Sequence, residues 1–211
     1  RHAEFHIRRS EALRQRTNPR SRQLIAAVTE DREQLLAVVH RAKTRALPSE
    51  RGLRALILLE PAYRASGPLS AWLDMAEKLI PDRATERLEA TALLAQARVL
   101  RHRGQLDRAA AMCAAALRYG EAHDDGALEA EAIAEAAHMS CLGGDYAGAA
   151  ASYQVAERIA TAGGHTWLGA VNLGNAGVAL AAMNDFAPAR AAYERSLSLH
   201  RMLDDSAGVA R

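Results

Sequence analysis

Three sets of side chains in this sequence have the types and spacing that chemistry requires. His2 and His6 stand four residues apart, so on a helix they share one side, as a metal-binding pair would. No further ligand is evident for them, and solvent-facing histidines are the plainer reading. Cys113 and Cys141 are the only cysteines. They read as a redox pair or, more simply, as small buried apolar groups. The third set is Arg98, Arg101 and His102, followed by Glu131, Glu135 and His138, and then Asn175. Charged and amide groups in such rows can hold an extended peptide or a helix through charge-assisted hydrogen bonds. Ordinary polar groups on a solvated face would look the same.

Other chemistry has no foothold in the residues. A GxxxxGK[ST] phosphate loop is absent, and Lys43-Thr44 lacks the preceding glycines. Neither a GxSxG elbow, an HExxH pair nor a CxxC pair occurs. No acid, base and nucleophile converge in the pattern. The expectation is a chain that is not an enzyme, with no catalytic residue, no cofactor and no metal site. An enzyme built into the helical array is a third, disfavoured class.

The elements that carry the third set are legible from a repeat. Residues 173–197 read LGNAGVALAAMNDFAPARAAYERSL. A shift of 40 residues carries Gly177 to Ala137 and Ala97, Ala189 to Ala149 and Ala109, and Ser196 to Ala156 and Ala116. It carries Phe186 to Tyr146 and Leu106, and Tyr193 to Tyr153 and Cys113. A fixed period of this length marks stacked units that cannot bury their apolar stripe alone. Each unit divides at a Gly or Asn turn into two helices, predicted at 88–103 and 106–121, 127–143 and 146–162, and 166–183 and 186–203. Small residues let the helix axes approach, while Leu106, Tyr146 and Phe186 are expected to plug the gap between helices. Asp145 and Asp185 stand where an N-cap carboxylate accepts a free backbone N–H.

Composition agrees with an all-α reading. Hydrophobic residues make up 49% of the 211 and aromatics only 4%, so the apolar content is chiefly alanine and leucine, strong helix formers. No apolar run reaches the roughly 18 residues of a membrane span, and no signal peptide is visible. With two thiols only, a cytoplasmic location is expected. The first residue is Arg, which reads as a fragment or a processed product. Residues 1–54 hold 13 basic and 6 acidic side chains, although the whole chain is only +2. That segment can attract nucleic acid, form a solvated face or dock on a neighbouring domain; without aromatic interleaving, nucleic acid is the least favoured.

Residues 1–87 do not keep the period. Helices are predicted over 1–16, closed by Asn18-Pro19, over 21–46, from Ser49 through LRALILLEPAYR, and over LSAWLDMAEKLI up to Pro81. The last two form a degenerate hairpin, with Gly67 as its turn and Trp72 where alanine is usual. The expected domains are thus a helical linker region, 1–87, and three repeats with the start of a fourth, 88–211.

The small and aromatic positions resemble the tetratricopeptide repeat (TPR). Gly177, Ala189, Ser196, Phe186 and Tyr193 match that family's pattern best. The usual proline is missing, and the period is 40 rather than 34. The resemblance implies an all-α, α-α superhelix, or solenoid, with a concave face lined by the first helix of each pair. Arg98, Arg101, His102, Glu131, Glu135, His138 and Asn175 would lie there and bind a protein or peptide partner. The chaperone-binding class of TPR is not expected, since its clamp lysines are absent. The order of RHAEFHI, an acidic pair ahead of an apolar helix (Glu30, Asp31, Leu35, Leu36, Ala37, Val38) and then TPR units also resembles the C-terminal half of bacterial STAND regulators. That resemblance implies the sensor or autoinhibitory region of a larger signal-transduction ATPase or transcription regulator, with upstream domains of the same polypeptide as further partners. The alternative is a free-standing scaffold that assembles a protein complex.

Overall fold

The computed structural model describes residues 2–16 and 22–203, and among these it is an all-α, helical-repeat fold. The helices are α1 (His2–Arg16), α2 (Arg22–Glu30), α3 (Arg32–Lys43), α4 (Ser49–Ser66), α5 (Leu69–Ala76), α6 (Arg87–His102), α7 (Leu106–Ala122), α8 (Gly126–Leu142), α9 (Tyr146–Ala162), α10 (Thr166–Ala182) and α11 (Phe186–Met202). The chain divides into two compact units, Arg1–Ala109 and Ala110–Arg211, with the division inside α7.

A left-handed residue every 20 positions sets the rhythm of the repeats. Gly104, Asp124, Gly144, Gly164 and Asn184 all have positive φ, between 52° and 84°. Glycine adopts this conformation freely, and Asn and Asp tolerate it through local polar bonds. Each such residue ends a helix in the same way. The next N–H donates back to a carbonyl five residues earlier: Gln105 to Leu100, Asp125 to Gly120, Asp145 to Ser140, His165 to Ala160 and Asp185 to Leu180. These bonds satisfy carbonyls that a helix end would otherwise leave open.

Side-chain caps are less uniform. The Asp145 carboxylate accepts from Gly148 N–H at 2.9 Å, as expected, and Asp125 accepts from Leu128 N–H at 3.1 Å. Asp185 occupies the N-cap of α11 but makes no side-chain cap bond, so the predicted second cap is absent.

In the second unit, α8, α9, α10 and α11 each pack on their neighbours in sequence. Opposed residues show the antiparallel sense. The Ser196 hydroxyl donates to Ala170 O at 2.7 Å, while Gly177 lies against Tyr193. The core is largely alanine: Ala130, Ala137, Ala149, Ala156, Ala176 and Ala189 are all buried. Ala109 and Ala149 are fully enclosed, and Ala189 nearly so. Side chains this small let backbones approach and gain dispersion contacts in place of large apolar area. The bulky residues expected to plug the gaps behave differently. Leu106 is half-buried, Tyr146 is exposed, and Phe186 is 65% exposed. Each is the first residue of its helix, at the turn, where the partner helix has ended.

The first unit is built around α4, which packs on α2, α3, α5, α6 and α1. Leu53, Leu56, Leu58, Leu59 and Tyr63 are buried there. Trp72 of α5 is fully buried, and its indole N–H donates to Leu56 O at 3.1 Å, satisfying the one polar atom of the ring. The predicted helix 21–46 is interrupted at Asp31, which ends α2 and precedes α3. Asp31 is buried and receives Arg9 Nη1 at 3.4 Å, so burial of this carboxylate accompanies the break. The predicted helix 69–80 ends at Ala76. Asn18-Pro19, the expected stop of α1, lies outside the described residues.

Four of the basic residues near the N-terminus, Arg8, Arg9, Arg51 and Arg54, pair with acidic side chains of the same unit. Arg54 holds Glu11 through two bonds of 2.7 and 2.6 Å and also reaches Glu4. Arg8 and Arg51 pair with Glu4, and Arg9 with Glu30. The Glu4 carboxyl is held below its ordinary value, first by the Arg8 hydrogen bond and then, against burial, by Arg54.

Candidate functional site: polar rows on the first helices and a terminal cleft

The sequence-selected residues sit on the first helix of each hairpin, in three settings. On α6, residues 92–97, Val99 and Leu100 are buried, whereas Arg98 and Arg101 are half-buried and His102 is exposed. Arg98 and Arg101 occupy the last turns of α6 with His102, where the carbonyl end of the helix dipole also favours positive charge. The start of α6 is fixed by Glu89. Its carboxylate accepts from Thr85 N–H, the Thr85 hydroxyl and Glu86 N–H at 2.7, 2.8 and 3.2 Å. Burial pushes this carboxyl up, but the three bonds outweigh it and hold the group below its ordinary value.

On α8, Glu131 and His138 are half-buried. Glu135 is only 4% exposed and so does not stand on an open face. Its neighbours explain this: Ala134 and Ala137 beside it belong to the alanine core. His138 Nδ1 lies 2.8 Å from Ala134 O, which can only accept, so the proton is on Nδ1. The imidazole also meets Tyr153 edge to face at 5.3 Å.

Asn175 lies in the wall of a cleft of about 650 Å³ between α10 and α11. Val171, Gly174 and Val178 line it from α10; Phe186, Tyr193 and Leu197 line it from α11. Polar groups at the walls include Arg190, whose guanidinium donates to Glu194 at 2.8 Å. Val178 and Asn175 fall one period after His138 and Glu135. The cleft is therefore lined by the same register positions that carry the polar row on α8, here mainly apolar. The α11 side of it is not legible in the sequence, where Phe186 is expected to plug the gap between helices and Tyr193 stands only as a position of the repeat pattern.

The remaining candidates supply little chemistry. Cys113 is buried and Cys141 half-buried, and both are free thiols. Burial pushes the Cys141 thiol up, a Tyr153 hydrogen bond opposes this, and the Asp145 charge raises it further. The net upward shift keeps Cys141 protonated and a weak nucleophile. The side chains of His2 and His6 lie outside the described residues. Among the described residues, no three His, Cys, Asp or Glu side chains are grouped to hold a metal ion. No described helix is long and apolar enough to cross a membrane. No protein-family model matches the sequence, and no curated protein matches it.

Proposed function

We propose that the chain is a non-catalytic, TPR-like module that binds a protein or peptide, acting as the sensor or autoinhibitory region of a larger bacterial signal-transduction ATPase or transcription regulator. The observation that supports this reading is the basic row of α6. Arg98, Arg101 and His102 keep access to solvent on a helix whose preceding residues are buried. Packing beneath such a row fixes the helix backbone that carries the guanidinium groups, which limits the ordering required when a carboxylate partner docks. The order of a helical segment followed by repeats supports the assignment to a multidomain regulator.

The test uses the intact regulator and the partner it recruits. Arg98→Glu with Arg101→Glu should weaken partner capture by about tenfold or more, because like charges then face the partner. Helicity should stay unchanged, and Arg98→Lys with Arg101→Lys should retain binding in part. Unaltered capture by the double glutamate variant would remove the α6 row from the interface.

A further inference from the structure

Charge dominates the described contacts of α1. The helix packs on α2, α3 and α4, all within the unit Arg1–Ala109. Of its described side chains only Ile7 and Ser10 are buried, and Phe5 is 61% exposed. The Ser10 hydroxyl has no hydrogen-bond partner among the described residues, so its burial opposes docking. By contrast, α4 beneath it has nine buried residues.

The ion pairs have a pattern. Glu4, Ile7 and Glu11 follow at i, i+3 and i+7, so they form one stripe along α1. Arg54 of α4 spans that stripe. Its Nη1 donates to Glu4 at 3.2 Å, while Nε and Nη2 donate to the two Glu11 oxygens at 2.7 and 2.6 Å. Arg51, one turn earlier on α4, lies 3.6 Å from Glu4. On another side of α1, Arg9 reaches Glu30 at 3.2 Å and Asp31 at 3.4 Å.

Such a seat reads more than net charge. A guanidinium that takes one carboxylate through two bonds fixes its direction, and reaching a second carboxylate two turns away fixes the spacing. Ile7, fully buried between them, fixes the rotation of the helix. The Arg54 and Glu11 side chains are 19% and 33% exposed, so water shields them only in part. Among the described residues, the other carboxylate paired with Arg54 is Glu50, at 4.0 Å and well exposed. Departure of α1 therefore leaves Arg54 poorly matched unless a similar stripe replaces it.

We propose that the face of α2, α3 and α4 beneath α1 is a docking surface for a helix of a partner protein, one that presents two carboxylates seven residues apart with an aliphatic side chain between them. α1 is the internal competitor for that surface. The surface uses none of the α6 residues, and the inference does not rest on the partner reading of that row.

The probe is a fluorescent synthetic peptide of residues 2–16, HAEFHIRRSEALRQR, added to the full chain. Glu4→Gln with Glu11→Gln in the chain loosens its own α1. Peptide anisotropy should then show saturable binding at least about tenfold tighter than to the unaltered chain, because a tethered competitor masks the surface in proportion to its occupancy. A peptide carrying the same two substitutions should bind the loosened chain at least about tenfold more weakly. Equal affinity for the two chains would overturn the proposal. Equal affinity of the two peptides would do so as well, since attraction of a basic peptide to any acidic surface gives that result. A second measurement needs no substitution in the chain. Millimolar peptide should speed amide exchange at Ile7 and Ser10 of the unaltered chain while Leu56 on α4 stays protected; unchanged exchange in α1 contradicts displacement. A concentration-dependent dimer that the peptide breaks up would identify a second copy as the occupant and overturn the assignment to another protein.

Discussion

Gly177 lies directly beneath the ring of Tyr193: a Cβ added to Gly177 would stand 2.7 Å from Tyr193 Cε1. One period earlier the same two positions are Ala137 and Tyr153, both buried, so a methyl group and a ring can share this geometry. Tyr193 is partly open to solvent and can shift. Gly177→Ala should therefore change stability by no more than about 1 kcal/mol, because the gain in helix propensity offsets the contact. Gly177→Leu should cost about 2 kcal/mol or more through overpacking. Urea unfolding of the two variants checks the contrast; equal costs would contradict the close approach.

Asn172 is fully buried, and neither amide atom has a hydrogen-bond partner among the described residues. The same register holds Ala92 and Ala132, both buried. Asn172→Ala removes an unsatisfied amide and installs the side chain the fold already accepts twice. It should stabilise the protein by about 1 kcal/mol, read from the urea midpoint. A clear destabilisation would show that the amide is satisfied.

The Glu89 cap predicts a pH dependence with a definite sign. A carboxyl depressed in the folded state adds stability above its unfolded value of 4.5 and loses it as pH falls through the lower folded value. Glu89→Ala should cost about 1 kcal/mol at neutral pH. The gap between the parent chain and this variant should then close below pH 4.5. Parallel pH profiles for the two would exclude the cap as the source.

Arg54 joins α1 to α4 through Glu11. Both side chains keep some solvent contact, so the pair contributes only about 1 kcal/mol. Glu11→Gln should speed amide exchange in α1 while leaving α3 and α4 protected, because α1 can open locally. Uniform acceleration through the unit would instead place α1 in the cooperative core.

The helices of the repeats were legible because their punctuation is chemical. Gly104, Gly144, Gly164 and Asn184 are residues that accept positive φ, and the alanines between them keep a strict register. Features set by neighbours were not legible in the same way. Glu135 reads as a surface charge, yet the surrounding helices bury it. Phe186 reads as core, yet it stands at a turn beside an open cleft. Asp31 fits a helical pattern on both sides, and only its burial with Arg9 marks the break. The polar row of α6 could be named from spacing; the cleft required knowing which helix covers which.

Paired leucine substitutions probe the small-residue register most directly. Ala109, Ala149 and Ala189 are buried, while Ala111, Ala151 and Ala191, two residues further on, are exposed. Ala149→Leu should lower unfolding free energy by about 2 kcal/mol, and Ala151→Leu should leave it within about 0.5 kcal/mol. Equal effects at the two positions, in either direction, would contradict helices nested through alanine-sized contacts.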